Sequence, residues 1–126
     1  LNQCQDKDLV FASRYEKFNS GSDDDTIITF LGNKIFSLLG NLLFNLKISD
    51  ILYTYILGKT NSFKKLNLES YDFRLCVEIP IKAKRNNFDY MTAPSYERNR
   101  IAGKKKVNAL KDGFLILLGI LKYFFK

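Results

Sequence analysis

The chain has 126 residues, of which 46% are hydrophobic and 26% charged, and its formal net charge is +7 at pH 7. This length fits one domain, and the apolar content is too high for a disordered tail. The absence of histidine and the isolated positions of Cys4 and Cys76 argue against zinc chemistry and against a disulfide framework. Residues 58–126 carry a net charge of +9 and residues 1–57 carry −2, which predicts an anionic partner for one end of the molecule.

The first predicted element is a buried strand over residues 8–13, a short apolar run that presents Arg14 at its end. Residues 19–25 predict a loop, and the three aspartates at its end suit a helix N-terminus. We favour this capping role for the aspartates over a metal-binding Asp-x-Asp, because they follow a polar loop rather than an apolar strand. A helix is therefore expected to begin near Thr26.

That helix carries a regular apolar stripe. Leucine and isoleucine recur at the i, i+3, i+4 and i+7 spacing of one helix face, at Ile35, Leu38, Leu39, Leu42, Leu43 and Leu46. We interpret the stripe as the face that packs into the core, with contact to a membrane as the alternative.

The middle of the chain predicts shorter elements. Residues 51–57 are β-branched and aromatic and predict a strand or an extended turn, followed by a short helix. Residues 71–85 predict a helix that Pro80 kinks, unless the proline lies near the first turn. Residues 88–96 predict a strand, with Pro94 at a sheet edge or a strand end.

The chain ends with a cationic loop that leads into an apolar tail. Residues 98–106, called the basic loop below, contain five lysines and arginines, and residues 107–126 predict a helix that is apolar on nearly every side. Its apolar part, residues 114–125, is shorter than the roughly 20 residues that cross a bilayer. The pattern predicts a helix buried in protein, lying in a membrane interface, or beginning a longer hydrophobic region. The N-terminus shows no signal peptide, which favours a cytoplasmic location.

A series of short motifs covers almost the whole chain, and their order and spacing are more specific than any one of them. The motifs are Ser13-Arg14-Tyr15, Gly21 to Thr26, Leu31-Gly32-Asn33-Lys34, Ser49-Asp50, Leu66-Asn67-Leu68, Phe73 with Glu78, Lys82-Ala83, Pro94 to Arg98, Gly103-Lys104-Lys105 and Lys111-Asp112-Gly113. In this order they resemble the C-terminal half of family 2 glycosyltransferases, especially the dolichyl- or polyprenyl-phosphate sugar synthases.

The resemblance implies an α/β fold that is the C-terminal portion of a nucleotide-sugar-binding domain. Residues 1–106 would be its acceptor side, and residues 107–126 would be a C-terminal apolar helix at the membrane interface. Such an enzyme transfers a sugar from a nucleotide-sugar donor to a lipid-phosphate or glycan acceptor, at the cytoplasmic face of a membrane. An upstream Asp-x-Asp would hold Mg²⁺ or Mn²⁺ outside this chain. Because the chain begins at Leu1 without methionine, we interpret it as a fragment that is inactive by itself.

The resemblance also assigns site residues. The family's phosphate-contacting positions match Arg14, Arg98, Arg100, Lys104 and Lys105. Asp50 and Glu78 match candidate catalytic carboxylates. Each assignment has a structural alternative: an ion pair for Arg14, a turn or cap for Asp50, a solvated or ion-paired helix position for Glu78, and a solvated loop for the lysine cluster.

The chain differs from the family's usual pattern at several positions. Many relatives have arginine where this chain has Thr29, and Gly-x-Arg where it has Thr54 and Ile56. Glutamates of many relatives are replaced by Arg74 and Cys76. These differences bear on the identity of the acceptor and on any catalytic use of Glu78.

A competing hypothesis is a non-enzymatic module that binds nucleic acid or an anionic membrane through the basic loop. Binders of single-stranded nucleic acid place aromatic side chains among their cations. Residues 99–108 contain no aromatic residue, which argues against a nucleic-acid partner. The membrane-surface version stays open at the level of the sequence.

Overall fold

The computed structural model describes residues 4–126, in which four helices and five short strands form a small mixed α/β domain. The predicted α/β class is confirmed at this level. The elements in chain order are β1 (Leu9–Ser13), β2 (Gly21–Ser22), α1 (Ile27–Phe44), β3 (Ile56–Gly58), α2 (Thr60–Lys65), α3 (Leu75–Arg85), β4 (Tyr90–Pro94), β5 (Tyr96–Glu97) and α4 (Ala109–Phe125).

Strand β1 lies at the centre of a three-stranded mixed sheet with the order β3-β1-β4. All five of its residues are buried, which confirms the predicted buried strand. It pairs antiparallel with β3 and parallel with β4, where Ser13 is opposite Pro94. Because parallel strands end at the same edge of a sheet, the residues that follow β1 and β4 emerge side by side. Pro94 ends an edge strand, as its missing amide proton requires.

Beyond this edge, β2 and β5 form a two-residue parallel pair. Gly21 is opposite Tyr96, and a Cβ on Gly21 would lie 2.9 Å from the Tyr96 ring, closer than real side chains approach. The strand predicted over residues 88–96 is thus divided into β4 and β5. The short pair ties the loop after β1 to the start of the basic loop.

The core lies between the sheet and helices α3 and α4. Helix α4 packs against both α1 and α3. The largest fully buried apolar side chains come from several elements and loops: Leu9, Leu46, Leu66, Val77, Ile81, Ile120 and Tyr123.

Helix α1 begins where the sequence predicts. Thr26 is its N-cap, and the Thr26 side chain accepts a hydrogen bond from the Thr29 amide. Asn45 ends the helix in the left-handed conformation, with φ of 54°. The three aspartates at positions 23–25, called the acidic run below, are adjacent to this cap, but the capping residue itself is the threonine.

The predicted core face of α1 is wrong. The helix buries Asn33, Ser37 and Gly40, whereas Ile35, Leu38 and Leu42 of the apolar stripe are 58%, 59% and 72% exposed. Leu39 and Leu46 of that stripe do pack against the core.

Hydrogen bonds to an irregular segment explain this orientation. The Asn33 side chain accepts from the Leu52 amide at 2.9 Å, and the Ser37 hydroxyl accepts from the Ile51 amide at 3.1 Å. Asn41 bonds both the amide and the carbonyl of Ile48, at 3.0 and 2.9 Å. Buried backbone groups outside a sheet need such partners, so the polar stripe of α1 faces inward.

Two other predicted elements have different bounds. The strand or extended turn expected over residues 51–57 forms a strand only from Ile56, because the amides of Ile51 and Leu52 bond to α1 instead. The helix expected over residues 71–85 begins at Leu75, after a turn in which Asp72 accepts from the Arg74 amide. Pro80 lies inside α3, where it removes one backbone donor.

By length and composition, α1 is the helix in residues 4–126 that could cross a membrane. It lies near the N-terminus of the chain, whereas the sequence placed the membrane-contacting helix at the C-terminus. Helix α4 has 17 residues and is strongly apolar on its outer side.

Candidate anion-binding site

Two dipeptides that are 36 residues apart in sequence meet at the edge of the sheet. The Ser13 and Ser49 hydroxyls are 2.7 Å apart. Beside them, Arg14 forms a bidentate ion pair with Asp50, from Nε at 2.8 Å and from Nη2 at 2.9 Å. The Arg14 backbone amide also donates to Asp50, at 2.9 Å. The sequence predicted Arg14 and Asp50 as site residues, and the fold brings them into contact.

A second carboxylate and an aromatic ring complete the surroundings of Arg14. Its Nη1 donates to Glu97 at 2.9 Å, and Glu97 also accepts from the Ser22 hydroxyl at 2.6 Å. The guanidinium lies 4.6 Å from the centroid of the Tyr53 ring, within cation–π distance. Four contacts thus fix the direction of one arginine whose side chain is 10% exposed.

The electrostatics keep this arginine charged. Burial lowers the pKa of Arg14, but the hydrogen bonds and charges of Asp50 and Glu97 outweigh burial and raise the pKa above its ordinary value. The Asp50 side chain has no exposed surface, and both of its oxygens accept from Arg14. A general base needs an oxygen that can reach the substrate. This geometry favours a positioning role for Asp50.

The acidic run joins the basic loop to the start of α1. Arg100 pairs with Asp24 at 3.0 Å, and the Lys105 ammonium donates to the Asp24 carbonyl at 2.9 Å. Asp23 accepts from the Tyr96 hydroxyl. The acidic run therefore anchors the basic loop, in addition to lying next to the helix cap.

Asp25 has its own set of donors. It accepts from the hydroxyls of Tyr15 and Thr29 and, at 3.1 Å, from the Thr26 amide. Burial raises the pKa of Asp25, but the bonds from Thr29 and Tyr15 outweigh burial and lower it below its usual value. Burial and the bond to Asp25 raise the pKa of Tyr15. This corner thus holds a charged carboxylate and a neutral tyrosine at neutral pH.

A cavity of about 380 Å³ opens next to these groups. One wall is charged and includes Arg14, Glu97, Arg100 and Lys105. The residues that α1 and α4 contribute are mostly apolar, with Ile28, Phe36, Leu110 and Ile116, and they include two polar side chains, Thr29 and Asp112. The cavity therefore offers both cations and apolar surface, which suit an amphiphile that carries an anionic group.

Glu78 lies elsewhere, and it does not line this cavity. It is fully buried, accepts from the amides of Glu69 and Ser70 at 2.6 and 2.8 Å, and pairs with Lys82 at 2.8 Å. Burial raises the pKa of Glu78, but these partners outweigh burial and lower it to about 2. Glu78 is therefore an ion-paired helix residue, which is one of the structural alternatives to a catalytic role.

The remaining cations of the basic loop are exposed and lie outside the cavity wall. Within residues 4–126, no carboxylate forms an ion pair with Arg98, Lys104 or Lys106. The structure thus brings Arg14 and Asp50 together with two cations of the basic loop, and it leaves the other predicted phosphate-binding residues on the surface.

Sequence reasoning missed several cavity residues. Glu97 lies in a motif that the sequence singles out, but only the β2–β5 pairing places it beside Arg14. Thr29, Thr54 and Cys76, where the chain differs from the family that it resembles, also line the cavity. Burial raises the pKa of the Cys76 thiol to about 12, so this thiol stays protonated.

No cluster of three or more cysteine, aspartate or glutamate side chains in the described residues is arranged to hold a metal ion. Asp23, Asp24 and Asp25 point to separate partners, as described above.

No family model, curated protein or solved structure matches the chain. The resemblance to family 2 glycosyltransferases therefore rests on the order of the motifs, and the function is inferred from the site.

Proposed function

We propose that this chain is the acceptor side of a family 2 glycosyltransferase that moves a sugar from a nucleotide-sugar donor to a lipid phosphate. The observation that carries the proposal is the cavity between a charged wall and an apolar wall. Its lining combines the cations Arg14, Arg100 and Lys105 and three carboxylates with mostly apolar residues of α1 and α4.

The charged wall suits a phosphate. A phosphate acceptor is already ionised, so it needs charge stabilisation and positioning more than it needs a general base. Arg14 has its direction fixed before any ligand binds, because Asp50 and Glu97 hold three of its nitrogens. The loop cations Arg100 and Lys105 line the same cavity. In this account Asp50 is a positioning residue.

The apolar wall supports the lipid-phosphate acceptor over a glycan. Ile28 and Phe36 of α1 and Leu110 and Ile116 of α4 offer no hydrogen bonds from their side chains. A hydrocarbon chain would bury its surface against them, whereas a glycan would find only two polar side chains of these helices in the cavity, Thr29 and Asp112. The lipid phosphate therefore uses both walls of the same cavity.

The donor side lies outside the chain in this proposal. The Mg²⁺ or Mn²⁺ held there would neutralise the donor diphosphate. The residues described above would bind the acceptor phosphate, orient it and exclude water from it.

The test is sugar transfer by the full-length protein. A panel of labelled UDP- and GDP-sugars would be offered with polyprenyl phosphate in detergent, and kcat/KM would be compared for wild type, Arg14→Gln and Arg74→Gln. Arg74 is the matched control, because its guanidinium pairs with Asp72 on the surface and does not line the cavity. We expect Arg14→Gln to lower kcat/KM about 100-fold and Arg74→Gln to leave it unchanged.

The 126-residue chain itself should transfer no sugar. Transfer by this chain at the rate of the full-length protein would contradict the proposal, and so would equal rates for wild type and Arg14→Gln. Lipid-phosphate binding without transfer by any sugar donor would favour the non-enzymatic binding module.

A further inference from the structure

A second pocket, called the side pocket below, opens beside the cavity. Its volume is about 510 Å³, within the roughly 300–1,000 Å³ that is usual for small-molecule sites. Its lining includes Thr54, Tyr71, Phe73, Cys76, Lys111 and Asp112. Four of these residues also line the cavity, namely Thr54, Phe73, Cys76 and Asp112. A molecule that fills the cavity can therefore extend into the side pocket.

Asp112 is a buried carboxylate without a cation. Three carboxylate side chains are buried in the part of the chain that the structure describes. Asp50 pairs with Arg14 and Glu78 pairs with Lys82, but no lysine or arginine among the described residues forms an ion pair with Asp112. Buried charges are paired as a rule, because leaving water costs free energy that a partner must offset. Asp112 is therefore a buried carboxylate that still has room for a partner.

Helix capping accounts for one of the two Asp112 oxygens. Oδ2 accepts from the Asn108 amide at 2.7 Å, across the first turn of α4, and no donor among the described residues reaches Oδ1. The sealed side-chain atoms that lack a partner in this part of the chain belong to Asn33 and Tyr123, so Oδ1 is not closed off inside the protein. Because Asp112 lines both the cavity and the side pocket, this oxygen faces space that a ligand can fill.

Two aromatic side chains line the side pocket. Tyr71 is 99% exposed and Phe73 is 36% exposed, so the Tyr71 ring adds nothing to the core. Aromatic rings beside a few placed polar groups are the usual lining of a ligand site. A pyranose ring presents an apolar C–H face together with hydroxyl groups. Such a ring can pack on an aromatic side chain while a hydroxyl donates to a carboxylate.

The charges of the side pocket favour a neutral ligand. Asp72 also lines it, but Arg74 donates to both Asp72 oxygens. The charges that remain, Lys111 and Asp112, have opposite signs and cancel. A cationic ligand would be repelled by Lys111 and an anionic ligand by Asp112. A neutral ring with several hydroxyl groups finds a donor in one and an acceptor in the other.

We propose that the side pocket holds the hexose that is joined to the lipid phosphate, with Asp112 accepting from its hydroxyl groups and Tyr71 and Phe73 packed on its ring. Hydrogen bonds to a charged acceptor are the stronger kind. A site built to bind a hydroxyl group rejects a sugar that lacks it or points it elsewhere, so Asp112 helps to select the sugar. The inference rests on the proposed function for the origin of the sugar, but sugar binding is measured without transfer.

The first test is a calorimetric titration of the 126-residue chain with farnesyl phosphodiesters of glucose, mannose and galactose. Farnesyl methyl phosphate has the same charge and serves as the reference. We expect at least one sugar diester to bind about tenfold more tightly than the reference. Asp112→Asn keeps an oxygen for the Asn108 amide, and it should remove most of this gain. No gain from any of the three sugars, or a full gain in Asp112→Asn, would overturn the proposal.

The reference ligand separates a sugar contact from a structural role. Asp112→Asn removes a negative charge from a cavity that binds an anion, so farnesyl methyl phosphate should bind a few-fold more tightly to this variant. A merely structural Asp112 would weaken the reference and the sugar diesters alike. Asp6→Asn is the charge control, because Asp6 is exposed and lines neither the cavity nor the side pocket.

The aromatic contact has its own matched pair of variants. Tyr71→Ala should lower the sugar gain about threefold with an unchanged melting temperature, since the ring is exposed. Phe18 is 80% exposed and lines neither the cavity nor the side pocket, so Phe18→Ala should leave the gain intact. Equal gains in the two variants would contradict the role of Tyr71.

The second test needs no phosphate. Saturation-transfer NMR of the same chain with methyl glucoside, methyl mannoside and methyl galactoside should show binding of at least one, lost in Asp112→Asn and kept in Arg14→Gln. Binding of glucosamine and of none of the neutral hexosides would make the side pocket an ammonium site and overturn the proposal. Hexoside binding without any effect of Arg14→Gln on farnesyl phosphate would remove the proposed function alone. Farnesyl phosphate binding that depends on Arg14, without hexoside binding, would remove the side pocket alone.

Discussion

Two buried ion pairs, Arg14 with Asp50 and Lys82 with Glu78, differ in what lies next to them. The Glu78 carboxylate is closed in by α3 and by the amides of residues 69 and 70, and it does not line the cavity. Arg14 is equally well paired, but it lines a cavity that also contains Arg100 and Lys105. Burial and pairing alone therefore do not identify a binding site. A buried ion pair indicates a binding site when it also lines a cavity that contains further charged groups.

The largest effect on stability should follow removal of the buried Glu78 carboxylate. Glu78→Ala leaves two backbone amides without their acceptor and removes one of the two carboxylates that pair with Lys82, so we expect a loss of about 4 kcal/mol in the free energy of unfolding. Urea unfolding measures this loss. Phosphate binding by the remaining folded protein should be unchanged, and a selective loss of binding at full stability would reverse the two assignments.

Glu78 should also make the stability of the protein fall as the pH becomes acidic. The pKa of Glu78 is lowered to about 2, so its contribution is complete above the unfolded-state value of 4.5 and is lost as the pH falls towards 2. The pKa difference corresponds to about 3 kcal/mol. Urea midpoints between pH 6 and pH 2 should fall more steeply for wild type than for Glu78→Gln. Parallel profiles would show that Glu78 has an ordinary pKa.

A smaller loss is expected when the carboxylate behind Arg14 is neutralised. Asp50→Asn keeps the size of the side chain but removes its charge, and Glu97 still holds one arginine nitrogen. We expect unfolding to cost about 2 kcal/mol less, together with roughly tenfold weaker phosphate binding because Arg14 loses its direction. Unchanged binding in a destabilised variant would make Asp50 purely structural.

The smallest effect on ligand binding is expected at Lys105, an exposed residue of the site. Lys105→Gln removes one cation whose ammonium is held by the Asp24 carbonyl. Binding of a lipid phosphate should weaken a few-fold, by about 0.5–1 kcal/mol, and its dependence on salt should become shallower. A salt titration with Lys64→Gln as the control separates this local effect from a change in net charge. Equal slopes in the two variants would leave Lys105 outside the site.

Local sequence signals predict part of this fold well. The buried run of β1, the Thr26 start of α1 and the proline at the end of β4 are each determined by nearby residues. The orientation of α1 is not, because its polar stripe faces inward only in the presence of a distant backbone segment. Helical periodicity identifies two faces but does not say which one meets protein.

The candidate site divides in the same way. Ser13-Arg14 and Ser49-Asp50 are visible as motifs, but their contact depends on how the chain returns to the edge of the sheet. Glu97 joins them through a two-residue strand pair that no composition signal predicts. Glu78 illustrates the opposite case, since a carboxylate in a family-like motif is used here to hold a loop.

The most direct measurement is a calorimetric titration of the 126-residue chain with farnesyl phosphate, a short lipid phosphate. Farnesol and inorganic phosphate serve as half-ligands, and Arg14→Gln is compared with Arg74→Gln. We expect farnesyl phosphate to bind more tightly than either half-ligand, and we expect Arg14→Gln to weaken its binding at least tenfold while Arg74→Gln does not. Equal affinity of wild type and Arg14→Gln for farnesyl phosphate would contradict the account.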